Sequence, residues 1–196
     1  MVVFSPEGNI ENEMTMLHHL FECGLNCFHL RKPCFSQNDY EIYLHKIKPI
    51  YHNLVVLHEY HHLVEKYLLK GIHLKEEHRL KITDTKAYVT ALKSRSKLTI
   101  STGFHSYEAL KSDTYSYDYC FLSPVFDSIS KPGYLGKGFK VALTEQKILA
   151  LGGITLQNIK LAKQLGYQGI ALLGGVWKSK SPVEEFIKIK TAYLDA

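Results

Sequence analysis

Two stretches near the C-terminus are almost alike: Ile148-Leu149-Ala150-Leu151-Gly152-Gly153-Ile154 and Ile170-Ala171-Leu172-Leu173-Gly174-Gly175-Val176. Each is an apolar run, then a diglycine, then a helix-like segment, and the glycine pairs lie 22 residues apart. That spacing is about one strand-plus-helix unit. Glycine lets a backbone approach a ligand closely, and the start of a helix offers unpaired N–H groups. Gly152, Gly153, Gly174 and Gly175 side by side would therefore cradle a phosphate. In (β/α)8 barrels such a cradle sits after strands 7 and 8.

Other reactive side chains fall at the ends of β-rich runs. His29-Leu30-Arg31-Lys32 ends one, and Arg31 offers a bidentate fork to phosphate or carboxylate. His58-Glu59 ends the next, and Glu76-Glu77-His78 follows another that contains His73. Ser101-Thr102-Gly103-Phe104-His105-Ser106 places His105 between a strand and a helix, where an imidazole suits proton transfer. A later loop carries Lys131, Gly133, Gly136, Lys137 and Gly138, and Lys131 could close it over a ligand. His58-Glu59-Tyr60-His61-His62 spells H-E-x-x-H, but a zinc protease needs both histidines on one helix face. Here His58 closes a strand-like run, so the letters alone do not make that site. Cys23 and Cys27 lie four apart, and no second cysteine pair completes a four-ligand zinc site.

What must position these groups is an alternation of strands and helices. β-rich runs fall at 2–4, 27–31, 54–58, 71–74, 98–101, 118–122, 148–151 and 169–172. Helical periodicity is clearest at 12–21, 39–50, 63–69, 156–165 and 183–194. Eight strands separated by helices imply parallel strands with right-handed crossovers. A doubly wound open sheet competes; the strand count and the terminal doublet favour a single compact (β/α)8 TIM barrel spanning residues 1–196. Two units look degenerate: 138–147 has room for a helical stub at most, and 75–97 is polar with only 87–92 helix-like.

The chain has 196 residues, 45% hydrophobic and 22% charged, which fits one globular domain. A formal charge of +5 suits an anionic small molecule. No dense basic run interleaved with aromatics points to nucleic acid, and no 18-residue apolar stretch points to a membrane. The N-terminus lacks the pattern of a signal peptide, and four cysteines then read as free thiols of a cytoplasmic protein. Barrels of this size often dimerise, so a homodimer is compatible with the sequence.

Taken in order, these motifs resemble the thiamine phosphate synthase and thiazole tautomerase family. Phe28-His29-Leu30-Arg31 is similar to its strand-2 motif, and Lys70-Gly71-Ile72-His73-Leu74 to its Gly-Ile/Val-His strand. Asp118-Tyr119, Ser123-Pro124-Val125-Phe126 and Lys131-Pro132-Gly133 resemble its loop after strand 6, and Ala150-Leu151-Gly152-Gly153-Ile154 with Gly166-Tyr167-Gln168-Gly169-Ile170-Ala171 its phosphate-binding end. The resemblance implies a barrel acting on a phosphorylated thiazole, with His29, Arg31, Lys131, Gly133 and the diglycines binding substrate.

A synthase also takes a pyrimidine diphosphate and needs Mg²⁺ for the departing diphosphate. Magnesium prefers hard carboxylate oxygens. Family synthases carry Asn-Asp where this chain has His58-Glu59, and an Asp where it has His78, with Glu77 beside it. Pro33 replaces the basic residue two after the strand-2 Arg. Glu59 and Glu77 are then the metal ligands only if the chain is a synthase. A tautomerase needs no cofactor. Phe104-His105-Ser106 is similar to the tautomerase Val-His-Ser segment, and 131–138 to its Gly-rich loop. The expectation is a thiazole phosphate tautomerase with His105 moving the proton and Arg31 assisting. A thiamine phosphate synthase and a non-catalytic phosphate-ligand sensor are the alternatives.

Overall fold

The computed structural model describes residues 1–95, 97–113, 117–130, 133–142 and 144–196. Eight parallel strands close into a barrel in sequence order. They are β1 (Val2–Phe4), β2 (Phe28–Leu30), β3 (Val55–Leu57), β4 (Gly71–Leu74), β5 (Thr99–Phe104), β6 (Tyr119–Leu122), β7 (Ile148–Leu151) and β8 (Gly169–Leu172). Closure is the β1–β8 pairing, in which Val3 registers with Leu172.

Outside the barrel run α1 (Glu13–Glu22), α2 (Gln37–Lys46), α3 (Leu63–Tyr67), α4 (Glu76–Arg79) and α5 (Thr85–Arg95). They are followed by α6 (Tyr107–Ser112), α7 (Ile159–Gln164), α8 (Gly174–Trp177) and α9 (Pro182–Asp195). Local chemistry sets several starts. Ser36 and Asp39 form a reciprocal capping box on α2. Pro182 opens α9, with Glu184 and Glu185 in its first turn, where carboxylates suit the helix dipole. Between β6 and β7 the described residues contain no helix, as the sequence led us to expect. The 75–97 stretch is more ordered than its polarity implied, carrying both α4 and α5.

Alternation along each strand divides the apolar residues into two cores. Outward residues such as Val3, Phe28, Leu30, Val55, Leu57, Ile72 and Ile100 pack beneath the helices. Inward residues fill the barrel: Val2, Phe4, Cys27, Val56, Tyr119, Phe121, Leu149 and Ala171. The same inward set includes His29, His58 and His73, all buried. Three successive strands thus contribute an imidazole to one interior layer, just below the C-terminal ends where a barrel builds its site.

Candidate active site

The C-terminal ends of the strands surround a cavity of about 450 Å³, a size suited to a small ligand. Its walls include Arg31, His58, His73, Lys75, Gly103, His105, Phe121, Gly152, Gly153 and Gly175. The two glycine corners meet there. Gly153 sits at φ +66°, and a side chain would strike Asp127 O and Phe126, so the corner admits only glycine. At Gly175 a Cβ would lie 2.3 Å from Ile154 O, which shows how closely the β8 corner is seated on the β7 corner. Gly174 is buried against Ile129 and Ser130 and is not among the lining residues, nor is Gly133. Lys131 lies outside the described residues.

His105 stands exposed at the rim, immediately after β5. Its Nδ1 is 3.2 Å from both Ser123 O and Ser123 Oγ. With Nδ1–H donated to the carbonyl, Nε2 keeps its lone pair and can serve as a base. Lys137 Nζ donates to His105 O at 2.9 Å, fixing the backbone there.

Arg31 also lines the cavity, and its Nη1 pairs with Glu7 in the loop after β1. Ser5 clamps the Arg31 backbone at 2.9 Å through the carbonyl and 2.8 Å through the N–H. Lys32, the next residue, turns the other way. Its ammonium is fully buried, 2.7 Å from Glu13 Oε2 and 2.8 Å from Gly8 O. It braces α1 against the end of β2 and is not available to an anion in the cavity.

His29 is wholly buried and is not among the lining residues. Its Nδ1 is 2.9 Å from His58 Nε2 and its Nε2 2.6 Å from Tyr119 OH. His73 bonds Ser101 Oγ at 3.0 Å and stacks on His58 with ring centroids 4.2 Å apart. Burial, reinforced by His73, holds the His29 and His58 imidazoles well below their ordinary pKa. Burial, then His61 and Arg31, brings His73 down to about 3. All three are neutral rings near neutral pH. This layer is the part of the site that sequence reasoning missed. Its only signal was a histidine near the end of three consecutive β-rich runs.

The two carboxylates considered for a metal are both taken. Lys75 Nζ pairs with Glu59 Oε1, and it stands 2.7 Å from Glu77 Oε1. Lys75 beside it holds the Glu77 carboxyl below the usual carboxylate range. Neither Glu59 nor Glu77 is among the lining residues, whereas Lys75 is. The arrangement offers the cavity the cations of Arg31 and Lys75, the carboxylates of Glu7 and Glu76, the neutral imidazoles of His58 and His73, the rim imidazole of His105 and two glycine corners.

The family model for thiamine monophosphate synthase matches residues 1–176. Among solved structures, the thiamine phosphate pyrophosphorylase from Bacteroides thetaiotaomicron is 27% identical. It aligns with a TM-score of 0.73 over 98% of this chain and 96% of that one. The thiamine phosphate pyrophosphorylase from Pyrococcus furiosus, at 15% identity, shares the fold with a TM-score of 0.76 over 99% of this chain and 94% of that one. No curated protein sequence matches.

Proposed function

We infer the function from one premise: the chain belongs to the thiamine monophosphate synthase family. Membership makes it a protein of thiamine biosynthesis, from a family of enzymes that bind small phosphorylated substrates. Within that frame we propose a thiazole phosphate tautomerase. The phosphate sits on the backbone amides of Gly152, Gly153 and Gly175, the corner glycines that line the cavity. Arg31 takes the substrate carboxylate. His105 Nε2 removes a proton from a ring carbon, the electron pair moves through the conjugated system, and the exposed imidazole, whose proton exchanges with solvent, returns a proton at another position. No atom is gained or lost, and the product is the aromatic thiazole. One placed base of this kind contributes roughly 10²- to 10⁴-fold.

The observation that carries this reading over the synthase is Lys75. Magnesium requires near-octahedral oxygen coordination. Glu59 and Glu77, the carboxylates the family pattern offers it, already share one ammonium. That pair does not fit the metal as it stands, and the His105 imidazole at the rim is the group we assign to move the proton.

Two assays decide. Thiazole phosphate carboxylate in D₂O, followed by NMR, should show isomerisation with solvent deuterium entering the ring system. His105→Gln should slow it by about 10²- to 10⁴-fold while ligand affinity is kept. Formation of thiamine phosphate from both synthase substrates with Mg²⁺ would refute the proposal in favour of the synthase. Tight binding without either turnover would make the chain a sensor.

A further inference from the structure

An exposed imidazole makes a poor base unless something aims it. His105 is exposed, and exposed side chains exchange rotamers within nanoseconds. Two contacts from the chain beyond β6 limit that freedom. Lys137 Nζ donates to His105 O at 2.9 Å and holds the main chain. Rotation of the ring remains, and there the neighbour is Ser123. Its Oγ and its carbonyl O each lie 3.2 Å from His105 Nδ1.

Strand pairing puts Ser123 in that place. β5 and β6 run in register with Phe104 opposite Leu122, and Ser123 N donates to Phe104 O at 3.0 Å. The next residue on each strand, His105 and Ser123, therefore leaves the sheet beside the other. Ser123 is only 7% exposed, so a buried anchor faces a ring that is otherwise free to turn. Both residues line the cavity.

The two oxygens decide both the protonation and the orientation of the ring. A carbonyl oxygen accepts and never donates, so Nδ1 carries the proton, and the hydroxyl oxygen accepts the second branch of a three-centre bond. Nε2 is then left with its lone pair. A half-turn of the ring would bring Cδ2–H to the oxygens and forfeit the N–H bond, so one orientation is selected. When Nε2 takes up a proton the ring becomes an imidazolium. The Nδ1–H bond then has a charged donor, and such bonds are about twice as strong as neutral ones. Ser123 therefore holds the protonated ring more firmly than the neutral one. An interaction that strengthens as the proton moves speeds the chemical step and leaves ligand binding alone.

We propose that Ser123 is a positioning residue for His105: its hydroxyl, with its carbonyl, fixes the Nδ1–H tautomer and supports the imidazolium that proton transfer creates. The proposal rests on the tautomerase reading, in which His105 is the base, and deepens it by naming what sets that base.

Ser123→Ala removes the hydroxyl and keeps the carbonyl. It should lower kcat for thiazole phosphate carboxylate about 10-fold with KM unchanged, and Ser123→Thr, which retains a hydroxyl, should recover most of the loss. Nitrogen-15 NMR of the His105 side chain at pH 8 needs no turnover. It should show Nδ1 protonated in the parent chain and a mixture of tautomers in Ser123→Ala.

A parent ring protonated at Nε2 overturns the inference, and this measurement decides even where Ser123→Ala does not fold. Parental kcat in Ser123→Ala, a loss confined to KM, or equal losses in the Ala and Thr variants overturns it as well. The underlying reading fails separately. If His105→Gln turns over as fast as the parent, His105 is not the base and this inference falls with it. If His105→Gln is inactive while Ser123→Ala keeps full activity, this inference falls alone.

Discussion

Arg31 and Lys75 are the two cations lining the described part of the cavity, and each is bound to acid. At Arg31 the competitor is Glu7, whose carboxylate occupies the guanidinium that a substrate anion would use. The pair is partly exposed, at 32% and 41% of the two side chains, so its strength is modest. Glu7→Gln should therefore tighten a carboxylate-bearing thiazole phosphate by up to about fivefold in calorimetry. Unchanged or weaker binding would mean that Arg31 does not meet the anion. Lys75 makes the converse prediction. Lys75→Met leaves Glu59 and Glu77 facing each other without their shared ammonium, and the variant should acquire Mn²⁺ binding, read by electron paramagnetic resonance, that the parent chain lacks. Comparable Mn²⁺ affinity in the parent would show that the ammonium yields to a divalent ion and would reopen the synthase reading.

Elements hold these residues through a few buried joints, one of which is the Lys32–Glu13 brace between α1 and the end of β2. Lys32 is enclosed by Glu13, Gly8 O and the rings of Phe35 and Tyr43, each 5.6 Å from the ammonium, and Tyr43 OH donates to Glu13 at 2.6 Å. Removing one partner of a buried pair strands the other charge. Lys32→Met should cost about 3–5 kcal/mol in urea denaturation, and adding Glu13→Leu should recover much of it. Equal losses for the single and double variants would show that packing rather than charge holds the joint. Such joints explain what the sequence could and could not disclose. Continuous apolar runs marked β1, β4, β7 and β8 to the residue, because strands buried on both faces read that way. β5 reaches three residues past its predicted end, through Thr102-Gly103-Phe104, because Thr102 Oγ1 finds Leu74 O at 2.7 Å inside the sheet. Lys32, next to Arg31 just past the end of β2, is drawn away from the cavity by Glu13 and Gly8 O, contacts that the local sequence does not announce. The glycine corners and His105 were legible as local motifs. The relay from Tyr119 to His58 was not, since it exists only where strands far apart in sequence become neighbours across a barrel.

At the scale of the whole molecule the barrel encloses a polar layer that must stay uncharged. Its pH dependence follows from the direction of the shifts. His29, His58 and His73 have folded pKa values below the ordinary imidazole value, His73 at about 3, with burial the leading cause in each. In the unfolded chain all three take up a proton near pH 6.5. Below that pH the unfolded state binds more protons than the folded one, so acid favours unfolding, and above it the three contribute no pH dependence. As pH falls toward 5 the slope approaches one proton for each ring, about 1.4 kcal/mol per pH unit apiece. Urea midpoints should be flat from pH 8 to 7 and then drop steeply between pH 6.5 and 5. The His29→Gln and His73→Gln variants should each lose roughly one proton's worth of that slope, whatever they cost at neutral pH. A midpoint that stays level down to pH 5 would mean that water or a cation reaches the interior layer, and that the barrel is not sealed around its histidines.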